Sequence, residues 1–204
     1  MPQYFEEQPQ TESCRRIVDY RMNGINFNFT TDTAVFSRSN VDFGTNLLIS
    51  AMIEDIRKTG PHPGNFLDLG CGVGIVGIVM KSCFMGYNMF GTDINSRAVD
   101  LATMNAANNR VRVDFRQGDV LSAFDDDIRF DIVATNPPVR AGKKTVFAFY
   151  ERSFEHMNQG AVIYVVLQRK QGAPSTYKKL SELFGNCENI DVDGGYHVMR
   201  SCRL

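Results

Sequence analysis

Short apolar runs alternate with segments of helical periodicity over the last two thirds of the chain. Five apolar runs predict strands, at 65–69, 87–92, 111–116, 130–135 and 161–167. Apolar residues at helical spacing predict helices between them, at 73–84, from Ser96 to Ala106, at 143–157 and at 175–184. Two late strands are predicted around a pair of glycines, at 188–192 and 196–202. Strands that alternate with helices predict an α/β protein with a doubly wound, mostly parallel sheet of seven strands.

A β-hairpin is predicted near the N-terminus. Asn23-Gly24 is typical of a type I′ turn, because both residues tolerate a positive φ. The strands on either side are predicted at 15–22 and 25–31. The alternation of apolar residues in the second strand favours one buried face.

A helix and a break in the chain follow the hairpin. Thr45 is predicted to cap a helix that runs to about Lys58, and the glycines and prolines of 60–64 then interrupt the chain. We therefore expect residues 1–60 to form an appendage of hairpin and helix. This appendage would pack on a core of residues 61–204, within one structural domain.

Composition fits one α/β domain of 204 residues, with 43% hydrophobic residues and a formal net charge of -1. The charge is uneven along the chain. Residues 1–136 carry a balance of -5, and residues 137–204 carry +4. The second value is consistent with a basic face that meets phosphates, or equally with cations scattered on solvated helices.

Cysteine and histidine patterns predict no metal site. The five cysteines include no CxxC pair, and no His/Cys spacing resembles that of a zinc or iron site. The longest apolar run, 73–80, is too short to span a bilayer. With no secretory or mitochondrial address at the N-terminus, we expect reduced thiols and a cytoplasmic location.

A glycine-rich turn follows the first strand of the alternating region. Its sequence, Asp68-Leu69-Gly70-Cys71-Gly72-Val73-Gly74, continues into a literal GxGxxG pattern, which is a weak signal by itself. Close helix–strand packing, NAD binding and S-adenosylmethionine binding all remain open. The acid at the strand tip favours the third, because Asp68 can meet a methionine ammonium but would repel a pyrophosphate. Asp93 and Asp119 follow the next two strands, where they can accept from ribose hydroxyls and an adenine amine.

Asn136-Pro137-Pro138-Val139 follows the fourth strand of the alternating region. The Asn136 carboxamide oxygen and the Pro137 carbonyl can accept the two N–H groups of a planar amine. Prolines fix φ and so hold that carbonyl in place. The alternative is a purely structural role, in which the two prolines stiffen the chain where it leaves the strand.

These residues, taken together, resemble a known family. Four stretches carry the resemblance, 29–37, 41–45, 136–144 and 169–175. The chain is similar to the "methyltransferase small domain" family of class I S-adenosylmethionine-dependent methyltransferases, which includes the guanine-N2 methyltransferase of small-subunit ribosomal RNA. The resemblance implies a Rossmann-like fold and S-adenosyl-L-methionine as cofactor. It also implies a set of cofactor-binding residues: Asp68, Gly70, Cys71, Gly72, Gly74, Asp93, Ile94, Asp119, Val120 and Asn136.

The catalytic residues implied are Asn136, Pro137, Pro138 and Val139. Amine methyltransferases of this kind usually carry an aromatic residue at the fourth position, to stack on the substrate, and this chain has valine. Phe36, Phe147 or Tyr150 is a candidate to supply the ring, although the last two fit a helix core better. The predicted substrate-binding residues are Phe36, Arg140, Lys143, Lys144, Arg169 and Lys170.

The resemblance implies methylation of the exocyclic N2 of a guanine in ribosomal RNA. The expected partner is that RNA or the small ribosomal subunit, without membrane or metal, for a monomer or homodimer. Three alternatives remain: N5-glutamine methylation of a translation factor, N6-adenine methylation of RNA, and a cofactor-binding assembly module without catalysis.

Overall fold

The computed structural model describes Glu7, residues 12–33, Val35, residues 40–60 and residues 63–204. Within these residues the elements follow one another in an order that begins with a hairpin. They are β1 (Arg16–Met22), β2 (Ile25–Thr31), α1 (Phe43–Thr59), β3 (Asn65–Leu69), α2 (Ile75–Cys83), β4 (Asn88–Asp93), α3 (Ser96–Asn108), β5 (Asp114–Gln117), β6 (Phe130–Thr135), α4 (Lys143–Glu155), β7 (Met157–Gln168), α5 (Ala173–Phe184), β8 (Glu188–Asp193) and β9 (Tyr196–Cys202). Short 3₁₀ turns at Val139–Ala141 and Arg169–Gln171 precede α4 and α5.

The main sheet has seven strands in the order β5-β4-β3-β6-β7-β9-β8. Strands β5, β4, β3, β6 and β7 pair in parallel, while β9 pairs antiparallel with both β7 and β8. The chain runs outward from β3 to β5 and then returns to build the other half from β6. The crevice beyond the carboxyl ends of β3 and β6 is therefore the switch point at which such sheets bind ligands.

Helices cover both faces of this sheet. One core layer joins α1, α2 and α3 to the sheet through residues such as Leu48, Ile78 and Leu101. The other layer joins α4 and α5 through Tyr150 and Leu180. Side chains of β3, β6 and β7 alternate between the two layers, as expected of strands buried on both faces. The predicted fold class, a doubly wound Rossmann-like sheet with an N-terminal hairpin, is confirmed.

The hairpin is tied to the first core layer through the buried side chain of Asn105 on α3. Its Oδ1 accepts from the Thr30 N–H at 2.8 Å, and its Nδ2 donates to the Thr30 carbonyl at 3.0 Å. The same Nδ2 donates to the Val73 carbonyl at 3.0 Å. One amide thus joins the hairpin to the glycine-rich turn.

Two helix caps differ from the sequence prediction. Asp42 caps α1, since its side chain accepts from the Thr45 N–H, so Thr45 lies inside the helix rather than at its cap. Asn95 caps α3 in the same way and displaces Ser96, which becomes the first helical residue. In both cases a longer acceptor just upstream reaches the free N–H groups of the first turn.

The boundary between α4 and β7 was also predicted wrongly. The helix ends at Glu155, and β7 already begins at Met157, which pairs with Phe130 of β6. Gly160 lies within the strand, where its N–H donates to the Arg203 carbonyl at 2.7 Å. These pairings come from distant parts of the chain and leave no trace in local periodicity.

Gly74 offers a stability test of the glycine-rich turn. It has φ of 85°, and an added Cβ would lie 2.8 Å from the Phe115 ring and 3.0 Å from the Ala102 Cβ. We expect Gly74→Ala to lower the free energy of unfolding by roughly 2–4 kcal/mol, from left-handed strain plus overpacking. Gly185→Ala is the matched control, because φ there is 75° and an added Cβ meets no atom within 4 Å. Urea denaturation of both variants checks this, and equal losses would contradict the packing part.

Candidate active site

A cleft of about 730 Å³ opens at the carboxyl ends of β3, β4, β5 and β6. This volume is in the range of cofactor and ligand sites. Most residues that the sequence assigned to a cofactor or catalytic role line this cleft: Asp68, Gly70, Cys71, Gly72, Asp93, Ile94, Asp119, Val120, Asn136, Pro137, Pro138 and Val139. Gly74 does not line it and instead sets the turn from which α2 begins.

The glycine-rich turn bends tightly over the end of β4. The N–H groups of Gly70 and Cys71 both donate to the Thr92 carbonyl, at 2.8 and 2.9 Å. Gly70 and Gly72 have φ of 73° and 53°, values that residues with a Cβ rarely adopt. The turn is folded back against the sheet and leaves the space beyond it open.

Asp93, at the end of β4, is held in one orientation. Its Oδ2 accepts from the Gly72 N–H at 2.8 Å, and its Oδ1 accepts from the Asn95 N–H at 2.9 Å. Burial raises the pKa of this carboxyl, while the backbone N–H groups act in the opposite direction. Three backbone N–H groups, those of Gly72, Ile94 and Asn95, act on this carboxylate, which with about four acceptor positions keeps capacity for a ligand hydroxyl.

Asp68, at the end of β3, is buried more deeply. Its Oδ2 accepts from the Gly77 N–H at 2.9 Å. Burial, together with the nearby Asp93 charge, raises the pKa of Asp68 to about 7 against the lowering effect of that hydrogen bond. A buried carboxyl of this kind is stabilised in its charged form by a neighbouring cation.

Acidic side chains dominate the cleft. Among the described residues that line it, the acids are Asp42, Asp68, Asp93 and Asp119, and Arg140 is the one cation. Such a cleft attracts a positively charged ligand and repels a pyrophosphate. These carboxyl groups thus fit a nucleoside that carries an ammonium and a sulfonium better than they fit a dinucleotide.

Val120 has an unusual backbone conformation in the loop after β5. Its φ is 53°, in the left-handed region that a β-branched residue seldom occupies. The Asp119 carbonyl accepts from the Ser122 N–H at 3.0 Å and so closes the turn around it. This conformation brings both Asp119 and Val120 to the wall of the cleft.

Asn136 has its carboxamide oriented by α1. Its Nδ2 donates to the Thr45 Oγ1 at 3.0 Å and to the Asp42 Oδ1 at 3.4 Å. A carboxylate oxygen accepts and does not donate, so the assignment of nitrogen and oxygen in this amide follows from the contact. The Oδ1 atom is left to accept from a molecule in the cleft.

The prolines place a tight turn after Asn136. The Pro137 carbonyl accepts from the Val139 N–H at 2.8 Å, and Pro138 has φ of -75° and ψ of 78°. These values define an inverse γ-turn. One lone pair of the Pro137 carbonyl is therefore in use and one is left, so its role as acceptor for a substrate remains a prediction.

The predicted substrate-binding residues are only partly brought together. Arg140 lines the cleft. Four other cations are exposed at the same edge of the sheet but outside the lining, and these are Lys143, Lys144, Arg169 and Lys170. Lys143 lies over the Phe147 ring, with Nζ 5.0 Å from its centroid. Phe36 lies outside the described residues.

Tyr150 belongs to the core, as the sequence favoured. It is fully buried, and its hydroxyl lies 3.2 Å from the Thr176 Oγ1. Phe149, which the sequence did not single out, lines the cleft and lies 3.1 Å from where a Cβ on Gly70 would be.

Sequence reasoning missed several other residues of the site. Asp42 and Thr45 orient Asn136, and Gln171 and Tyr196 line the cleft. The first pair lies in the stretch 41–45, which carries part of the family resemblance, but Thr45 was predicted only as a helix cap and Asp42 was given no role. Gln171 and Tyr196 carried no signal, because sheet topology brings them to the cleft.

The described residues show neither a cluster of metal ligands nor a helix that could span a membrane. They contain no group of three or more His, Cys, Asp or Glu side chains placed to hold a metal ion. Across the same segments, every helix is too short or too polar to traverse a bilayer. The cysteines at 14, 71, 83, 187 and 202 are all free thiols.

A doubly wound sheet with an acid-lined cleft at its switch point defines an α/β protein that binds a nucleoside cofactor. The family follows from comparison with known proteins. Residues 26–200 match the model of the methyltransferase small domain. The chain belongs to the methyltransferase small domain family.

Individual relatives agree with the family. The chain is 38% identical over 202 residues to "Uncharacterized protein YbxB" of Bacillus subtilis strain 168, with 98% of each covered. It is 33% identical over 169 residues to ribosomal RNA small subunit methyltransferase C of Haemophilus ducreyi, covering 81% of this chain and 49% of the relative. The chain thus spans nearly all of the first relative and about half of the second.

A solved structure is similar over almost the whole chain. It is the 16S rRNA N2 G1207 methyltransferase of T. thermophilus in complex with AdoMet and guanosine, with a TM-score of 0.85 and 25% identity. The similarity covers 96% of this chain and 52% of that chain. A ribosomal protein L11 methylase from Lactobacillus delbrueckii is similar in fold, with a TM-score of 0.63 and 20% identity.

Proposed function

We propose that this chain transfers a methyl group from S-adenosyl-L-methionine to the exocyclic N2 of a guanine in small-subunit ribosomal RNA. The cofactor is confirmed by membership of this methyltransferase family and by the AdoMet-bound T. thermophilus relative. The RNA and guanine parts of the proposal are supported by the relatives that act on 16S rRNA. The observation that carries the proposal is that α1 binds the Nδ2 of Asn136 in the wall of the cleft, so that Oδ1 is the atom expected to accept from the substrate.

S-adenosyl-L-methionine supplies an electrophilic methyl group on a positively charged sulfur. We expect Asp93 to accept from the ribose hydroxyls, Asp68 to face the ammonium and Asp119 to accept from the adenine amine, and all three line the cleft. The negative charge of these acids also offsets the sulfonium charge. We expect the glycine-rich turn to let the cofactor lie close to the backbone.

An exocyclic amine is a weak nucleophile, because its lone pair is delocalised into the ring. The Asn136 Oδ1 can accept one of its N–H groups, and the remaining lone pair of the Pro137 carbonyl can accept the other. Both contacts favour a pyramidal nitrogen and strengthen as positive charge develops on it during attack. A strong base is not needed before attack, because the proton becomes acidic once the nitrogen is methylated.

The RNA backbone is proposed to meet the exposed cations at the rim rather than the acidic cleft. Exposed cations lie at the carboxyl edge of the sheet, where phosphate contacts would make binding dependent on salt. They are Lys143, Lys144, Arg169 and Lys170, together with Arg140 in the wall of the cleft. A base has to leave its stack to enter the cleft. The proposal therefore favours an unpaired or displaced guanine, on a cytoplasmic ribosomal particle or its RNA.

Labelled methyl transfer tests this function. The chain is incubated with the labelled cofactor and, separately, with small ribosomal subunits, naked ribosomal RNA and a release factor. Nucleoside analysis of the labelled RNA is expected to yield N2-methylguanosine. Label confined to protein, or found on adenine N6, would contradict the proposal, and absence of transfer to every substrate would favour a binding module.

The raised pKa of Asp68 predicts a pH dependence of cofactor binding. Its folded pKa of about 7 lies above the unfolded value near 4, so the folded chain holds an extra proton between these values and loses stability as pH rises through that window. A ligand cation favours the carboxylate instead. Cofactor affinity is therefore expected to rise as pH increases towards 7, by up to about tenfold per pH unit.

Calorimetric titration from pH 5.5 to 7.5 measures this dependence. Asp68→Asn is the matched control, because it keeps an acceptor for the Gly77 N–H but does not titrate. Its affinity is expected to be lower at pH 7.5 and almost independent of pH. The same pH slope in both proteins would assign the effect to another group.

A further inference from the structure

A pair of aromatic rings, one exposed and one half-buried, lies at the mouth of the cleft. Phe43, the first residue of α1, is 46% exposed, and its ring centroid lies 5.5 Å from that of Tyr196. Tyr196 is the first residue of β9 and lines the cleft. Phe43 also follows Asp42, which binds the amide of Asn136. The pair therefore adjoins the reaction centre on its solvent side.

Two glycines let these rings pack directly on the backbone, because neither carries a Cβ. A Cβ on Gly194 would lie 2.9 Å from the Phe43 ring, and a Cβ on Gly44 would lie 2.8 Å from the Tyr196 ring. Each ring thus packs on the chain that carries the other. This reciprocal packing limits the motion of the rings, so a ligand that stacks on Phe43 loses little affinity to ordering it.

Cations flank the aromatic pair. The Arg169 N–H donates to the Gly195 carbonyl at 2.8 Å, which joins the segment after β7 to the β8–β9 turn. Arg169 and Lys170 are both exposed there, and Asp193, the last residue of β8, is the exposed acid that directly precedes the turn. Exposed aromatic rings beside cations are the surface with which proteins bind single-stranded nucleic acids.

We propose that Phe43, supported by Tyr196, stacks on an unpaired nucleobase adjacent in sequence to the one that enters the cleft. This inference rests on the proposed function and adds a second base-binding position to it. Val139 has no ring to stack on the RNA, and Phe43 would supply such a contact at the rim of the cleft. The phosphates that link the two nucleotides then lie within reach of Arg169 and Lys170.

Fluorescence gives a direct test, because the chain contains no tryptophan. The Phe43→Trp variant carries a single indole at the proposed platform. Met85→Trp is the control, since Met85 is 81% exposed and precedes β4, at the opposite edge of the sheet from the cleft. Each variant is titrated with a single-stranded RNA hexanucleotide of mixed sequence and with an abasic backbone of the same length.

Saturable quenching of the Phe43→Trp emission by the base-bearing RNA, and not by the abasic backbone, is the expected result. Met85→Trp is expected to show none. Equal quenching in both variants, equal quenching by both ligands, or no quenching at position 43 would overturn the proposal. Cofactor affinity, measured alongside, reports whether each variant is folded.

Steady-state kinetics then separates this inference from the proposed function. Phe43→Leu keeps an apolar contact with Gly194 but removes the ring, and is expected to raise the KM for RNA about tenfold with kcat nearly unchanged. Phe43→Tyr is expected to restore KM, and the salt dependence of binding is expected to stay that of the unmodified chain. An unchanged KM in Phe43→Leu, with the unmodified chain active on RNA, would overturn the stacking inference alone. Label transferred to protein alone by the unmodified chain would overturn both.

Discussion

Replacing Asn136 with alanine is expected to lower kcat for methyl transfer by about a hundredfold to a thousandfold. That range is typical for the loss of one hydrogen-bond acceptor or donor aimed at a developing charge. The carboxamide oxygen is the acceptor here, and it is preoriented by Thr45 and Asp42. Cofactor affinity is expected to stay nearly constant, because Asp68, Asp93 and the glycine-rich turn are untouched. Single-turnover kinetics together with calorimetry measures both quantities.

Thr45→Val provides a graded control for this experiment. It removes the Oγ1 that accepts from Asn136 but keeps the shape of the side chain. The amide then retains only the longer contact with Asp42, so we expect kcat to fall by about tenfold. Turnover of Asn136→Ala within a few fold of the unmodified chain would refute the amine clamp.

Replacing Asp93 with alanine is expected to weaken cofactor binding by about a hundredfold or more. The change removes a charged acceptor for hydroxyl groups, and hydrogen bonds to charged groups contribute roughly 1.5–3 kcal/mol each. It also leaves the N–H groups of Gly72 and Asn95 without their acceptor, which loosens the glycine-rich turn. Calorimetric titration with the cofactor measures the loss.

Asp93→Asn separates the two causes. It keeps an oxygen acceptor for one backbone N–H but removes the charge, so an intermediate affinity is expected. The kcat of either variant at saturating cofactor is expected to change much less than the affinity. Unchanged affinity in Asp93→Ala would remove this residue from the cofactor site.

Local signals in the sequence predicted most of the fold. The hairpin strand Ile25–Thr31 and strand β6 have the predicted bounds, because turn residues and apolar runs define them without help from the rest of the chain. The α2 helix begins at Ile75 instead of Val73, since Gly74 with φ of 85° is not helical. Such shifts of one or two residues come from backbone conformations that periodicity does not report.

Residues of the candidate site were predictable where they lie at, or just after, the end of a parallel strand. Asp68 and Asp93 lie at the ends of β3 and β4. Asp119 and Asn136 come after β5 and β6, so the parallel topology alone brings all four to one cleft. Tyr196 was not predictable, because it reaches the cleft from an antiparallel strand added beyond β7. The hydrogen bonds that orient Asn136 were also missed, since they join residues 91 and 94 positions apart.

Because of these long separations in sequence, removal of the N-terminal segment affects the geometry at Asn136. The first turn of α1 holds the Asn136 amide in its orientation, although α1 precedes the alternating strands and helices. A fragment that starts at β3 would lack the side chains that orient the amide and also a helix whose Leu48 and Met52 are buried in the core. Truncation therefore removes amide orientation and core packing together, and only a point substitution such as Thr45→Val separates the two.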